Sequence, residues 1–392
     1  MKIRSLLALA GLVAAAHTAQ AQEVTLKVHF FLPPTSYANT LFIQPWCDKI
    51  AKESNNRMKC QSYPSMQLGG TPPQLFEQVR DGVADVIWTL PGYTAGRFPT
   101  VEAFELPFMM KSPEATSKAL WDYVQQHGQN EFKDVHPLAF HVHGPGVFHM
   151  TNKPVKTMAD LRGLKLRAPT RLTNKFIAML GATPVGMPVP QVGDALSKGV
   201  IDGAVVPYEV VPSVKIQELV KYHSETDPAE AAFYTSTFIF AMNKAKYESL
   251  PPDLKKVIDA NSGQALSGQI GKAFVQADAE GKKLTTGNTT NVIPAAELAN
   301  WKKLGDKLDG IKLTIKEDVT GNGGAGVSKD GTITYYFNQD SLSGSGAYLY
   351  VPFVLEKDGI TAEQKWYTNL SWDKGKLRAY LEQEIAALSI PT

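Results

Sequence analysis

Hydrophobic positions along the chain fall into short alternating or continuous runs, broken by prolines and glycines, and this pattern predicts small α/β units. Thr25–Phe31 is apolar at every second position and then throughout, as a first strand should be. Asn39–Lys52 spaces its apolar residues as a helix, with Pro45 expected to kink it. Met58–Tyr63 predicts a second strand. Next come Pro72-Pro73, an amphipathic run from Gln74 to Arg80, Gly82, Asp85 and the apolar run Val86-Ile87-Trp88. The same order returns as Pro188 and Pro190, a run from Gln191 to Lys198, Gly199, Asp202 and Ala204-Val205-Val206. Proline suits the first helical turn and glycine the left-handed position that closes a helix, so both units read as helix then strand. Such units return the chain to a parallel sheet. Two copies about 117 residues apart, roughly one domain length, predict two similar lobes, although two unrelated α/β units would give the same pattern.

Further helices are predicted over 113–126, over 158–162 with Thr157 as cap, and over 170–180 with Gly181 as stop. Strands are predicted over 138–143, 147–151, 164–168 and 234–242, with Gly144-Pro145-Gly146 separating the first pair. Residues 251–283 are helical in pattern with weak points at Gly263, Gly268 and Gly271, and a helix that long is able to bridge two lobes. From Ile311 the pattern changes. Residues 311–316, 331–337 and 347–355 predict strands joined by glycine-rich turns, and 374–388 predicts a last helix. In a two-lobe fold a small-molecule site lies in the interface, beyond the carboxyl ends of the parallel strands, and closes by hinge motion.

The first 21 residues form a secretory pattern: Lys2 and Arg4, an apolar stretch Leu6–Ala16, then Ala19-Gln20-Ala21 before a cleavage point at Gln22. No later run reaches the roughly 18–20 apolar residues of a spanning helix, and no cysteine follows the cleavage point to carry a lipid. The mature chain is therefore expected in the periplasm. Its 43% hydrophobic and 20% charged residues exclude a disordered or fibrous chain. Removing the leader takes two of the 40 basic residues and leaves a balance with the 38 acidic ones, so there is no basic footprint for nucleic acid. Cys47, in the predicted first helix, and Cys60, in the second strand, either bond as one staple or stay as buried thiols; nothing C-x-x-C-like or cationic activates them.

Candidate chemistry is sparse. His141-x-His143 with His149 suggests a metal, but no H-E-x-x-H or nearby Cys/Asp/Glu set completes a zinc site, so none is expected. Gly321–Gly326 matches G-x-G-x-x-G, yet a strand follows it and no helix N-terminus is there for a pyrophosphate; a turn is expected. There is no G-x-S-x-G elbow, no P-loop lysine motif and no nucleophile set beside a base. Arg167 ends the strand at Leu166-Arg167-Ala168-Pro169. A guanidinium there offers paired N–H donors to a carboxylate, while spacing alone fits a surface ion pair better.

Seven stretches together resemble a known family. They are Tyr63-Pro-Ser-Met-Gln-Leu-Gly69, Asp81-Gly-Val-Ala-Asp85, Phe104-Glu-Leu-Pro-Phe108, Asp160-Leu-Arg-Gly-Leu-Lys-Leu-Arg167, Leu180-Gly-Ala-Thr-Pro-Val-Gly-Met-Pro188, Ala195-Leu-Ser-Lys-Gly-Val-Ile-Asp-Gly203, and Met242-Asn243 through Leu250-Pro-Pro-Asp-Leu-Lys255. Over roughly residues 24–310 their order is similar to the DctP-type solute receptors of tripartite ATP-independent periplasmic (TRAP) transporters. The resemblance implies an α/β, two-lobe, type II-like periplasmic binding protein fold with a hinge and a long inter-lobe helix. On that scheme 1–21 is the signal peptide, 22–146 with 233–262 is lobe 1, 147–232 with 263–310 is lobe 2 and carries the bridging helix, and 311–392 is a β-rich appendage. It further implies capture of a small organic acid without catalysis, no cofactor, and delivery to the small and large permease subunits. The alternative is a secreted enzyme acting on a small carboxylate in the same cleft.

The family's carboxylate-binding arginine falls on Arg167. A second arginine of sialic-acid-type members falls near Val147, and an asparagine that often contacts ligand falls on Val206. Both losses remove polar groups, which argues against polyhydroxylated ligands. Trp88, Leu90, Pro91, Phe148, Val206, Tyr208, Phe233 and Tyr234 are the candidate apolar and aromatic lining, with polar help from His143, His149, Ser36 or Tyr37. The expected ligand is an aromatic or branched 2-oxo or 2-hydroxy monocarboxylate.

Overall fold

The computed structural model describes residues 23–305 and 307–308, and the backbone of five short strands between 312 and 361. The signal peptide and the helix expected over 374–388 lie outside the described residues. The chain begins with β1 (Val24–Phe30), α1 (Gln44–Glu53), β2 (Met58–Tyr63), α2 (Leu75–Arg80), β3 (Val86–Thr89), α3 (Pro113–Tyr123) and β4 (Val135–Val142). It then builds a second unit from β5 (Val147–Met150), β6 (Lys165–Ala168), α4 (Arg171–Met179), β7 (Thr183–Gly186), α5 (Val192–Ser197), β8 (Gly203–Val206) and β9 (Tyr222–Glu225). It returns as β10 (Thr237–Asn243), α6 (Pro252–Ala260) and α7 (Gly263–Lys283), and closes with β11 (Thr289–Val292) and α8 (Ala295–Gly305).

Two sheets form two lobes. The first has the order β2-β1-β3-β10-β4, the second β11-β9-β5-β8-β6-β7. In the first, β1 lies parallel to β2 and β3, and β10 runs antiparallel to β3. In the second, β6 lies parallel to β7 and β8, and β5 runs antiparallel to β8. Five strands of the second sheet repeat the order of the first, and β11 is an added edge strand. In each lobe the antiparallel strand is the one that has just crossed from the other. Leu26, Val28 and Phe30 of β1 are fully buried, as are Val205 and Ala204 of β8, because helices cover both faces of these parallel strands.

The repeated sequence unit is the joint of each half. Pro72–Gln74 and Val189–Gln191 form 3₁₀ turns ahead of α2 and α5. Gly82 and Gly199 take positive φ of 77° and 66° at the helix ends, where a side chain would be strained. Asp85 then accepts a hydrogen bond from the Lys27 amide at 2.8 Å, and Asp202 accepts one from the Lys165 amide at 2.8 Å. Each aspartate thus anchors the loop to the neighbouring parallel strand.

Three expectations are corrected. Pro45 does not kink a continuous helix: a π-turn spans Asn39–Ile43, and Pro45 sits in the first turn of α1, where a missing N–H costs nothing. The helix expected to reach residue 126 ends as α at Tyr123 and continues as a π-turn over Val124–Gly128. The 251–283 helix is two helices, broken before Gly263, whose φ is +85°. α7 still spans both lobes. A Cβ at Gly271 would lie 2.5 Å from the Pro113 carbonyl oxygen of lobe 1, and one at Gly281 would lie 2.1 Å from the Tyr208 carbonyl oxygen of lobe 2. Only glycine permits these approaches.

In the C-terminal segment β12 (Lys312–Glu317), β13 (Gly324–Val327) and β14 (Thr332–Phe337) form a sheet of order β12-β14-β13, and β15 (Val354–Glu356) pairs with β16 (Gly359–Thr361). Gly324–Gly326 of the glycine-rich motif therefore lie in a strand, where a turn was expected. Among the described residues no helix is long and apolar enough to cross a membrane.

Cys47 of α1 and Cys60 of β2 are disulfide-bonded across 13 residues of sequence, pinning the helix to the sheet edge. Reduction, or the Cys47→Ala, Cys60→Ala double variant, is expected to lower stability by about 2–4 kcal/mol. Urea midpoints with and without reductant measure this; coincident curves would show that the bridge adds nothing.

Candidate functional site

A narrow cleft lies between the lobes, and its walls come from strand ends. Phe31 and Leu32 follow β1, Leu90 and Tyr93 follow β3, and Arg167 and Pro169 close β6. Val206, Pro207, Glu209 and Val210 stand at and beyond the end of β8, and Tyr234, Ser236 and Phe238 lead into β10. These are the carboxyl ends of the parallel strands, where the open edges of α/β sheets leave room for a ligand.

Arg167 is 2% exposed. Its Nε donates to the Met187 carbonyl at 3.0 Å and its Nη1 to the Val205 carbonyl at 3.1 Å, which fixes the plane of the guanidinium. Among the described residues it has no carboxylate within ion-pair distance. The Tyr93 hydroxyl lies beside it and accepts from the Val189 amide at 3.1 Å across the cleft. A buried cation held by carbonyl dipoles and a tyrosine hydroxyl is poised for an anion.

Opposite stands a column of rings. Phe31 stacks on Trp88 at 4.9 Å between centroids, and Trp88 on Phe238 at 4.9 Å. Behind them His141 stacks on Phe238 at 4.7 Å and accepts from Trp88 Nε1 at 2.8 Å. The ring column offers flat apolar faces, and the arginine offers a charge.

The chain was compared with known proteins. The family model described as DctP, bacterial extracellular solute-binding protein, family 7, matches residues 32–308. The chain belongs to the DctP family of solute-binding proteins. A TRAP solute binding protein from Rhodoferax ferrireducens T118, crystallised with copurified benzoate, is 54% identical with a TM-score of 0.72, over 73% of this chain and 89% of that one. A marine metagenome TRAP solute binding protein specific for aromatic acid ligands, in complex with 3-hydroxybenzoate, is 50% identical with a TM-score of 0.72, over 74% and 90%. A TRAP periplasmic solute binding protein from Bordetella bronchiseptica with bound (R)- and (S)-mandelate is 28% identical with a TM-score of 0.68, over 73% and 90%.

In this DctP receptor the residues named from sequence divide. Arg167, Trp88, Leu90, His143, Val206 and Tyr234 line the cleft. Phe148 and Phe233 do not: they stack on each other at 4.6 Å in the lobe 2 core beside Trp301. Pro91 opens the buried 3₁₀ turn that places Tyr93. Ser36 is buried away from the cleft, where its hydroxyl accepts from the Asn39 amide, and the half-buried Tyr37 does not line the cleft. His149 and Tyr208 pack on the far side of β8. There Asn288 Nδ2 donates to His223 Nε2 at 3.1 Å, His223 Nδ1 pairs with His149 Nδ1 at 2.7 Å, and His149 Nε2 donates to the Val206 carbonyl at 3.2 Å. The Tyr208 ring meets His149 edge-on at 5.4 Å. No three His, Cys, Asp or Glu side chains among the described residues are placed to hold a metal. Val147, where sialic-acid-type members have arginine, is 2% exposed in the core.

Sequence reasoning missed Phe31, Tyr93, Glu209, Ser236 and Phe238 as cleft residues. Tyr93 and Glu209 sit a few residues past β3 and β8, each in a proline-led 3₁₀ turn, so the repeat itself carried the signal.

Burial and the charge of Arg167 lower the His143 pKa to about 4, so this ring is neutral; its Nδ1 donates to the Gly144 carbonyl at 2.6 Å. Behind the cleft Glu105 accepts from the Thr237 amide at 3.0 Å and hydroxyl at 2.9 Å, and burial raises its pKa to about 7. The folded state then binds a proton that the unfolded chain releases at its ordinary 4.5, so Glu105 costs stability as pH climbs from about 4.5 to 7. Glu105→Gln is expected to gain stability relative to the parent across that window and to level off above it. Urea unfolding over a pH series tests this; a difference constant with pH would show that Glu105 does not titrate high.

Proposed function

We propose that this protein is the extracytoplasmic receptor of a TRAP transporter and captures an aromatic monocarboxylate between its lobes. The observation that carries the reading is the buried Arg167 guanidinium, free of any protein carboxylate among the described residues and facing the Phe31–Trp88–Phe238 column. The acid headgroup pairs with the guanidinium and the ring lies against the aromatic faces. Relatives with benzoate, 3-hydroxybenzoate and mandelate support this ligand class. Val206, in place of a polar family residue, gives a hydroxyl-rich acid no partner on that wall of the cleft.

The division into lobes at 146/147 and 232/233, with 263–310 counted with the second lobe, is part of the proposal; sheet membership supports it for the strands, β11 included, while α7 packs on both lobes. So are removal of residues 1–21 on export, a place in the periplasm, release of an unaltered ligand to the small and large permease subunits, and the absence of catalysis.

Calorimetry of the mature chain against a panel of acids tests the reading. Benzoate or a hydroxylated relative is expected to bind tightly and to be recovered unchanged by mass spectrometry. Arg167→Ala is expected to weaken it by about a hundredfold or more while leaving the unliganded melt intact. Tight binding of a sialic acid or a C4-dicarboxylate with no aromatic acid bound would overturn the ligand class, chemical turnover would overturn the receptor role, and an unaltered affinity in the variant would remove Arg167 from the site.

A further inference from the structure

The cleft holds two buried polar atoms without a hydrogen-bond partner among the described residues. Glu209 is 2% exposed and Ser236 is fully buried, yet Glu209 Oε2 and Ser236 Oγ have no hydrogen-bond partner among the described residues. Both residues line the cleft, one from the turn after β8 in lobe 2 and the other just ahead of β10 in lobe 1. Unpaired buried polar atoms are rare because each forfeits its hydration without replacement. The apolar column supplies nothing for them, and Arg167 already faces the acid headgroup in the receptor reading.

We infer that Glu209 and Ser236 form a second polar contact that selects aromatic acids bearing a hydroxyl in addition to the carboxylate. This rests on the receptor reading above. A hydroxyl both donates and accepts, so it can satisfy a carboxyl group and a serine together. The state of Glu209 fits the role. Burial, and then the neighbouring Asp278 carboxyl, raise its pKa well above the usual carboxylate range, which favours the protonated form and lessens competition with the ligand for Arg167. Its place is fixed by Asp278 of α7, whose Oδ1 accepts from the Glu209 amide at 2.8 Å. Because the two groups come from different lobes, the contact is completed only when the lobes are together, and the hydroxyl is read in the closed state. A site with such groups disfavours the analogue that leaves them unpaired.

The test is calorimetry of the mature chain with benzoate, 2-, 3- and 4-hydroxybenzoate and mandelate, for the parent and for Glu209→Leu, Glu209→Gln and Ser236→Ala. The parent is expected to bind one hydroxylated acid more tightly than benzoate. Glu209→Leu and Ser236→Ala should each lose about tenfold more on that acid than on benzoate, and Glu209→Gln should retain most of the preference. The unliganded thermal melt serves as the check on folding, and Ser236→Ala decides the matter if Glu209→Leu does not fold. An equal loss on both acids would place the contact on the carboxylate and overturn the inference, as would a parent with no hydroxyl preference. Failure of the receptor reading is separate: there the parent binds none of these acids.

Discussion

The Arg167 guanidinium is buried, hydrogen-bonded to two backbone carbonyls and unmatched by a carboxylate among the described residues, and that imbalance constrains everything around it. A charge kept from water is tolerable only where dipoles or a counter-ion offset it. The carbonyls come from Met187 after β7 and Val205 in β8, so the strand order of lobe 2 is what holds the charge in place. Its neighbours stay neutral: His143 is pushed to about 4 and Tyr93 upward. The cleft is thus left with one uncompensated positive charge in an aromatic setting, which an acid with a flat apolar body complements.

The same economy of parts runs through the scaffold. Asp85 and Asp202 each tie a helix-to-strand joint to the parallel neighbour through the amide of a lysine, at matching 2.8 Å distances. The same device holds the joint in both halves, at equivalent places in the five-strand order that the two sheets share. The lobes are further tied by Glu102 with Arg171 and by Tyr93 with Val189. Of these groups Tyr93 also lines the cleft beside Arg167, so closure and recognition share a side chain.

Much of this was legible in the sequence because it rests on local signals. Proline, glycine and aspartate at fixed offsets marked both joints, and apolar runs marked β1, β3, β6 and β8. Arg167 was legible through its place at a strand end and the family resemblance, not through spacing. What escaped depends on which way a side chain turns after the strand stops. Tyr208 was chosen where its neighbour Glu209 faces the cleft, because the 3₁₀ turn rotates one inward and the other toward His149. Phe148 and Phe233 carried the right chemistry, but their partner was Trp301, more than a hundred residues of chain away from Phe148 and invisible to any local pattern.

The crossover Gly144-Pro145-Gly146 is tightly enclosed. A Cβ on Gly144 would strike Asp278, and one on Gly146 would strike the Tyr234 ring. Tyr234 is also a wall of the cleft and bonds the Val205 carbonyl, which in turn receives Arg167. The pivot and the binding chamber therefore share a moving part. Swinging the lobes displaces a tyrosine that touches the arginine's own support, so the angle between the halves and the occupancy of the chamber are mechanically geared to each other.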